Sequence, residues 1–313
     1  MRMKRNRQIL LLGWLMAILL LTAGCGDRGE KPTIRSAYFW STTFELDSTQ
    51  MDFIRSNDIH KIYLRYFDVV TNNQGEVLPN ATVQFVTPQP DSVEIIPTVF
   101  ITNECMTHAP DDLADKILNR ILQMNETRDI FGVREIQIDC DWSGRTREAY
   151  FAMLKQLTTK AKEKDIEIST TIRLHQLSQT PPPVSRGVLM MYNTSDIKDK
   201  EHNPILDIKD AEPYMKYLKG YQLPLSTAYP MFYWDLLFRG DHFVGIMHSD
   251  DELPVITGDT IIHRDVPIDM VLKVKEMVGK QHPHANDEII LFDISKQNIN
   301  NNKNQHYEKI FSN

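Results

Sequence analysis

The sequence predicts a single α/β domain of the (β/α)8 TIM-barrel type, with a vestigial fifth helix and a hairpin-like insertion after the seventh strand. Three observations lead there. Eight short apolar, β-prone segments recur along the chain, most of them separated by stretches with helical hydrophobic spacing, which is the pattern of a parallel sheet with helical crossovers. Polar and aromatic residues gather at the C-terminal ends of those segments, where such a barrel builds its sites. No Gly-rich phosphate turn follows an early strand, as the alternative architecture, an open α/β sheet, would usually carry.

The chain opens with Arg2, Lys4, Arg5 and Arg7, then an apolar run from Ile9 to Leu21, then Thr22-Ala-Gly-Cys25. Basic region, short apolar core and small-residue site are the layout of a secretory signal, and the core is too short to favour a membrane span. Because the site ends in Cys25, the segment resembles a bacterial lipoprotein signal, although Thr22 stands where such signals usually have Leu. That resemblance implies cleavage after residue 24, acylation of Cys25, and a home in the cell envelope on a lipid bilayer. Residues 25–33 then read as the lipidated cysteine and a polar tether, 34–297 as the barrel, and 298–313 as a polar C-terminal tail, frayed over its Asn-rich part. Removing residues 1–24 takes away four of the 35 basic residues and none of the 42 acidic ones, leaving a balance of −11. Such a balance argues against nucleic acid or anionic lipid headgroups as partners, so membrane attachment is expected from the acyl chains. Cys105 and Cys140 are too few for a disulfide scaffold or a structural zinc site, and a single bridge between them stays open.

The elements follow in order. Ser36 to Thr42 is an aromatic-rich first strand, and Asp47 to Asn57 a short helix opening on Asp and Ser caps. Lys61 to Val70 is the second strand, and Val93 to Thr102 the third. Asp111 to Met124 places Leu113, Ile117, Leu118, Ile121 and Leu122 on one helical stripe. The fourth strand, Arg134-Glu-Ile-Gln-Ile-Asp-Cys-Asp-Trp142, puts Asp139 and Asp141 on one face with Gln137, and Ile136, Ile138 and Cys140 on the other. Asp is depleted in strands, so two on one face suggest a site; the alternative is a pair of solvated or capping residues. Its helix is Arg147 to Lys164. Glu167 to Leu174 and Gly187 to Asn193 are strands five and six, and Pro181-Pro-Pro183 between them forbids a full crossover helix. A helix over Asp210 to Lys219, strand seven over Leu223 to Tyr229, a helix over Val266 to Gly279 and strand eight over Glu288 to Ile294 complete the series. The stretch from Pro230 to Asp265 is too long for an ordinary loop, and Asp241–Met247 with Leu253–Ile262 alternate like a hairpin.

If the barrel is right, the strand ends gather Trp40, Arg65, Asp68, Asn103, Glu104, Asp139, Asp141, Trp142, Arg173 to His175, Tyr192, Asn193, Tyr229 and Asp293. Carboxylates, amides and aromatic faces suit a glycan: carboxyl groups act on a glycosidic bond, and rings stack on a sugar. Tyr229-Pro-Met-Phe-Tyr-Trp234 offers a sugar platform ending in Trp234, or else the hydrophobic root of the insertion. His282-Pro-His284 precedes strand eight and lacks a completing ligand, so no metal and no cofactor is expected. The scattered His175, His242, His248 and His263 read as structural or exposed, and no Ser-His-Asp order or Gly-x-Ser-x-Gly elbow supports acyl transfer.

Gly132 to Trp142 resembles the fourth-strand motif of family 18 glycoside hydrolases, the chitinases and endo-N-acetylglucosaminidases, and Met190-Met-Tyr-Asn193 is similar to that family's sixth-strand Met-x-Tyr-Asp. The chain also resembles bacterial lipoproteins whose barrel is related to those enzymes. The resemblance implies a TIM barrel acting on a glycan. It also marks two departures: Asp141-Trp-Ser143 stands where the motif has Asp-Trp-Glu, and Asn193 where it has Asp. Two readings follow. In one, Asp141 is the general acid, raised by like-charged Asp139 and a shielding Trp142, with Glu104 as second carboxylate and Tyr192 bonding the sugar; Glu104 could instead simply pair with Arg65. In the other, the barrel binds glycan without catalysis.

Overall fold

The computed structural model describes residues 33–247 and 255–312. The signal segment, Cys25 and His248 lie outside them. Eight parallel strands form the centre: β1 (Ile34–Phe39), β2 (Lys61–Thr71), β3 (Glu94–Ile101), β4 (Glu135–Asp139), β5 (Glu167–Ile172), β6 (Arg186–Met190), β7 (Leu225–Pro230) and β8 (Glu288–Phe292). Each pairs with the next in chain order, and β1 bonds to both β2 and β8. The sheet is therefore closed, which removes the open-sheet alternative and leaves no free barrel edge.

Helix α1 (Ser48–Ser56) follows β1 and is started by Asp47, whose side chain accepts from the Gln50 N–H while the Gln50 side chain accepts from the Asp47 N–H. Helices α2 (Leu113–Thr127) and α3 (Arg147–Lys162) follow β3 and β4; α4 (Ile208–Leu218), α5 (Ile268–Gln281) and α6 (Lys296–Asn301) follow β6, β7 and β8. The stripe on α2 is buried as its spacing predicts, through Leu113, Ile117, Leu118 and Ile121. Each such side chain contributes about 1.5–3 kcal/mol by leaving water. After β5 there is only a 3-10 turn, Leu174–Ser178, before the prolines. The structure adds a second missing helix: β2 overruns the barrel and folds back into a short antiparallel strand, Val77–Asn80, paired with Asp68–Thr71.

The insertion after β7 is a three-stranded antiparallel sheet, not a two-stranded hairpin. Its central strand, Trp234–Arg239, pairs with His242–Met247 on one side and Asp259–Arg264 on the other. The C-terminal tail packs, including its Asn-rich part, residues 298–304, which is expected to fray: Ile299, Tyr307, Ile310 and Phe311 are buried, and the Asn302 amide donates to the Met231 carbonyl at 2.8 Å. The polar average of that stretch conceals the few apolar residues that anchor it.

The barrel interior is polar along much of its axis. At its N-terminal end Arg186 donates to Glu288 and lies 3.4 Å from Glu135, while Ser36 donates to Glu288 at 2.6 Å and Ser169 to Glu135 at 2.5 Å. Burial pushes the Glu135 carboxyl up. It pushes Glu288 the same way, but the Arg186 and Lys61 charges outweigh it and hold Glu288 below the usual range. One layer higher, the Tyr38 hydroxyl donates to Gln137 at 2.7 Å.

Candidate active site

Strand alternation carries Gln137 into the barrel and, two residues on, Asp139 toward its C-terminal mouth. A cleft of about 490 Å³ opens there. One wall is aromatic: Trp40, Tyr192, Phe232, Trp234 and Phe292 line it, with Phe292 centred 4.9 Å from Tyr192 and Phe232 5.3 Å from Trp234. The floor is charged, with Asp139, Asp141, Arg65, Arg173 and Asp293.

Arg173, at the end of β5, organises this floor. Its guanidinium donates to Asp141 and, at 3.1 Å, to Asp139. Asp139 also accepts from the Thr171 hydroxyl at 2.6 Å, so one of its oxygens is bonded twice. Burial raises the Asp139 pKa, Arg173 counters this, and the charge of Asp141 adds to the rise. Burial works against the Arg173 cation, but Asp139 and Asp141 more than compensate, leaving its pKa raised. Asp141 is half exposed, with 52% of its side chain open to solvent. Across the cleft, burial raises Asp293, partly offset by donors from the Ser295 N–H at 3.1 Å and the Asn298 amide.

Of the residues named from the sequence, Trp40, Arg65, Asp139, Asp141, Tyr192, Asn193 and Trp234 meet at this cleft. Arg65 is clamped by Asp68, which lies buried behind it, and its guanidinium carbon sits 5.6 Å from the Trp40 ring centre. Four others do not line the cleft. Trp142 is fully buried, 5.2 Å from Phe151 and stacked on Tyr150 beneath α3, so it cannot shield Asp141. Its parity with Ile136, Ile138 and Cys140 already places it on the outer face. Tyr229 shares the outward parity of Thr227, and its hydroxyl donates to Asn286 at 2.8 Å. Asn103 accepts from Thr146 at 2.5 Å, tying the turn after β3 to the start of α3. Glu104 is exposed on the turn after β3, and Arg65, offered as its ion-pair partner, is taken by Asp68. Cys105 and Cys140 are buried free thiols, not a bridge.

The sequence alone assigns no roles to Arg173 and Asp293 and does not single out Gln297 or Asn298. An arginine two residues past Thr171, on the strand beside two aspartates, is the available signal for Arg173. Gln297 and Asn298 escape because they sit where a polar tail is expected to begin. Ser143 begins the approach to α3, and its N–H donates to the Thr146 hydroxyl at 3.0 Å. No carboxylate replaces the missing glutamate at that position.

The sequence matches no family model and no curated protein. Its fold does match solved structures. The spore cortex-lytic enzyme SleL of Bacillus cereus aligns with a TM-score of 0.56 at 16% identity, over 88% of this chain and 74% of that one. A chitinase of Chromobacterium violaceum aligns at 0.54 with 10% identity, over 84% and 94%. A Group IV chitinase of Ostrinia furnacalis aligns at 0.52 with 11% identity, over 83% and 92%. The chain is similar to these glycoside hydrolases in fold, as a closed barrel of eight parallel strands surrounded by helices.

Proposed function

We propose that the cleft binds a glycan and that this barrel does not hydrolyse it, the chain being exported and held at the cell envelope by an acylated Cys25. The observation that carries the reading is Arg173 bridging Asp139 and Asp141. A general acid must hold a proton and present it to the glycosidic oxygen. Asp141 reaches the cleft but its carboxyl group is engaged by the Arg173 guanidinium, while Asp139 is buried with one oxygen bonded twice. Glu104 is exposed outside the cleft, and Ser143 offers no carboxyl group. What stays is a recognition surface: rings for the apolar faces of sugars, and Arg65, Asn193, Gln297 and Asn298 for their hydroxyl and amide groups. The chitinase neighbours make N-acetylglucosamine oligomers the first ligands to try.

Hydrolysis is the second reading, and one observation favours it: burial raises Asp139, the direction that an acid near neutral pH requires. Incubating the full chain with chito-oligosaccharides, and following binding by calorimetry and products by mass spectrometry, separates the two. Binding with intact oligomers supports recognition. Shortened oligomers, absent with Asp139→Asn, support hydrolysis. Anchoring is checked by the mass of the mature N-terminus in wild type and Cys25→Ala.

A further inference from the structure

Asp139, Asp141 and Asp293 all line the cleft, and each accepts hydrogen bonds on one oxygen only. The Oδ1 of Asp139 takes Thr171 and Arg173, that of Asp141 takes Arg173, and that of Asp293 takes the Ser295 N–H and the Asn298 amide. Among the described residues the second oxygen of each carries no hydrogen bond, although only 4% of the Asp139 side chain is exposed. Acceptors withdrawn from bulk water and left unpaired in a cleft call for a donor from outside. The charges do not balance either. Arg65 is taken by Asp68 and Arg173 is shared by Asp139 and Asp141, so two guanidinium groups face three carboxylates. Asp293 adds a fourth carboxylate, and its hydrogen-bond donors among the described residues are neutral. The two sides of this floor converge, because the Tyr192 hydroxyl lies in the field of both Asp139 and Asp293.

We infer that the cleft selects glycans carrying free amino groups, de-N-acetylated glucosamine units, whose ammonium groups donate to the unpaired oxygens of Asp141 and Asp293. The inference rests on the glycan-recognition reading above and narrows it. An ammonium group brings three donors and the positive charge that the floor lacks. An acetamide brings one N–H, no charge, and a carbonyl whose natural partners, the Arg65 and Arg173 guanidinium groups, are already held by carboxylates. The same excess of carboxylates discriminates against uronic acids and phosphorylated sugars, since like charges across a binding surface are repelled. Stacking on the Trp40 and Trp234 side of the cleft is common to acetylated and free amino sugars, so the rings supply affinity and the carboxylates the choice between the two. Asp141, half open to solvent, is the first of these carboxylates that an arriving ligand meets, and salt screens it more than it screens Asp139.

The test is calorimetric titration of the full chain with the glucosamine tetramer and with its fully N-acetylated counterpart, at pH 6, where the free amines are largely charged. Binding of the free-amine tetramer about tenfold tighter than the acetylated one is the expected result. That ratio should fall at least threefold in Asp293→Asn and in Asp141→Asn. In the wild type it should also shrink as sodium chloride is raised from about 50 to about 500 mM, a reading that needs no variant to fold. Equal affinities, tighter binding of the acetylated tetramer, or a preference indifferent to salt and to both substitutions overturns the inference while leaving glycan recognition intact. Failure of both tetramers to bind removes the recognition reading and the inference together.

Discussion

Replacing Arg173 with Gln removes a cation that touches both Asp139 and Asp141, and its cost can be worked from the geometry. The Arg173 to Asp139 contact is 3.1 Å, with only 4% of the Asp139 side chain exposed. Breaking a buried pair by deleting one partner costs about 3–5 kcal/mol, since the remaining charge is left without compensation. The contact to Asp141 adds little, about 0–1 kcal/mol, because that carboxylate is half in solvent. The lower end of the range is the better expectation, as Thr171 still donates to Asp139, so the loss at pH 8 should be about 3 kcal/mol, or about 6–10 °C in Tm. The sign of the pH dependence is fixed. Asp139 has a folded pKa above its unfolded value even with Arg173 present, so its contribution is fully present below the unfolded pKa and lost as pH rises through the folded one. Removing the cation raises the folded pKa further, so the deficit of the variant should be largest at pH 8 and shrink toward pH 4. Urea unfolding of wild type, Arg173→Gln, Asp139→Asn and the double variant at both pH values gives the coupling directly. A loss below about 1 kcal/mol at pH 8, or the same loss at both pH values, would refute the idea that Arg173 holds a buried carboxylate.

Trp234→Ala should weaken chito-oligosaccharide binding about tenfold, from lost stacking and apolar contact, while Tyr229→Phe leaves it unchanged because that hydroxyl bonds Asn286 outside the cleft; calorimetric titration of both variants checks the contrast. Arg186→Met should destabilise the barrel by about 3–5 kcal/mol at neutral pH, since it leaves Glu135 and Glu288 facing each other without a cation between them. Glu288 has a depressed folded pKa, so its stabilisation exists above the unfolded pKa and disappears as pH falls through the folded one. The gap between wild type and Arg186→Met should therefore narrow on acidification, as followed by thermal melts from pH 8 to pH 3.

Most of the fold is legible because hydrophobic periodicity survives averaging: each of the eight strands lies within two or three residues of its expected bounds, and Pro181 to Pro183 announce the missing helix. What escapes is set by pairing rather than by composition. The central strand of the insertion, Trp234–Arg239, carries Leu236, Leu237 and Phe238 in a run that lacks alternation because all three are buried. At the site, residue type is a poor guide and parity a good one. Trp142 and Tyr229 look like sugar-stacking rings, yet both fall on the outward phase of their strands. Asp139, Asp141 and Arg173 all fall on the inward phase. The feature on which the proposed recognition role rests, one arginine shared by Asp139 and Asp141, depends on register between β4 and β5, which no single-strand pattern contains.

The direct measurement is the fate of a defined oligomer, such as chitohexaose, held with the full chain at pH 5 and pH 7 and examined by mass spectrometry alongside its binding isotherm. Recognition without turnover predicts saturable binding and an intact hexamer at both pH values. Cleavage products that disappear with Asp139→Asn or Asp141→Asn would contradict it.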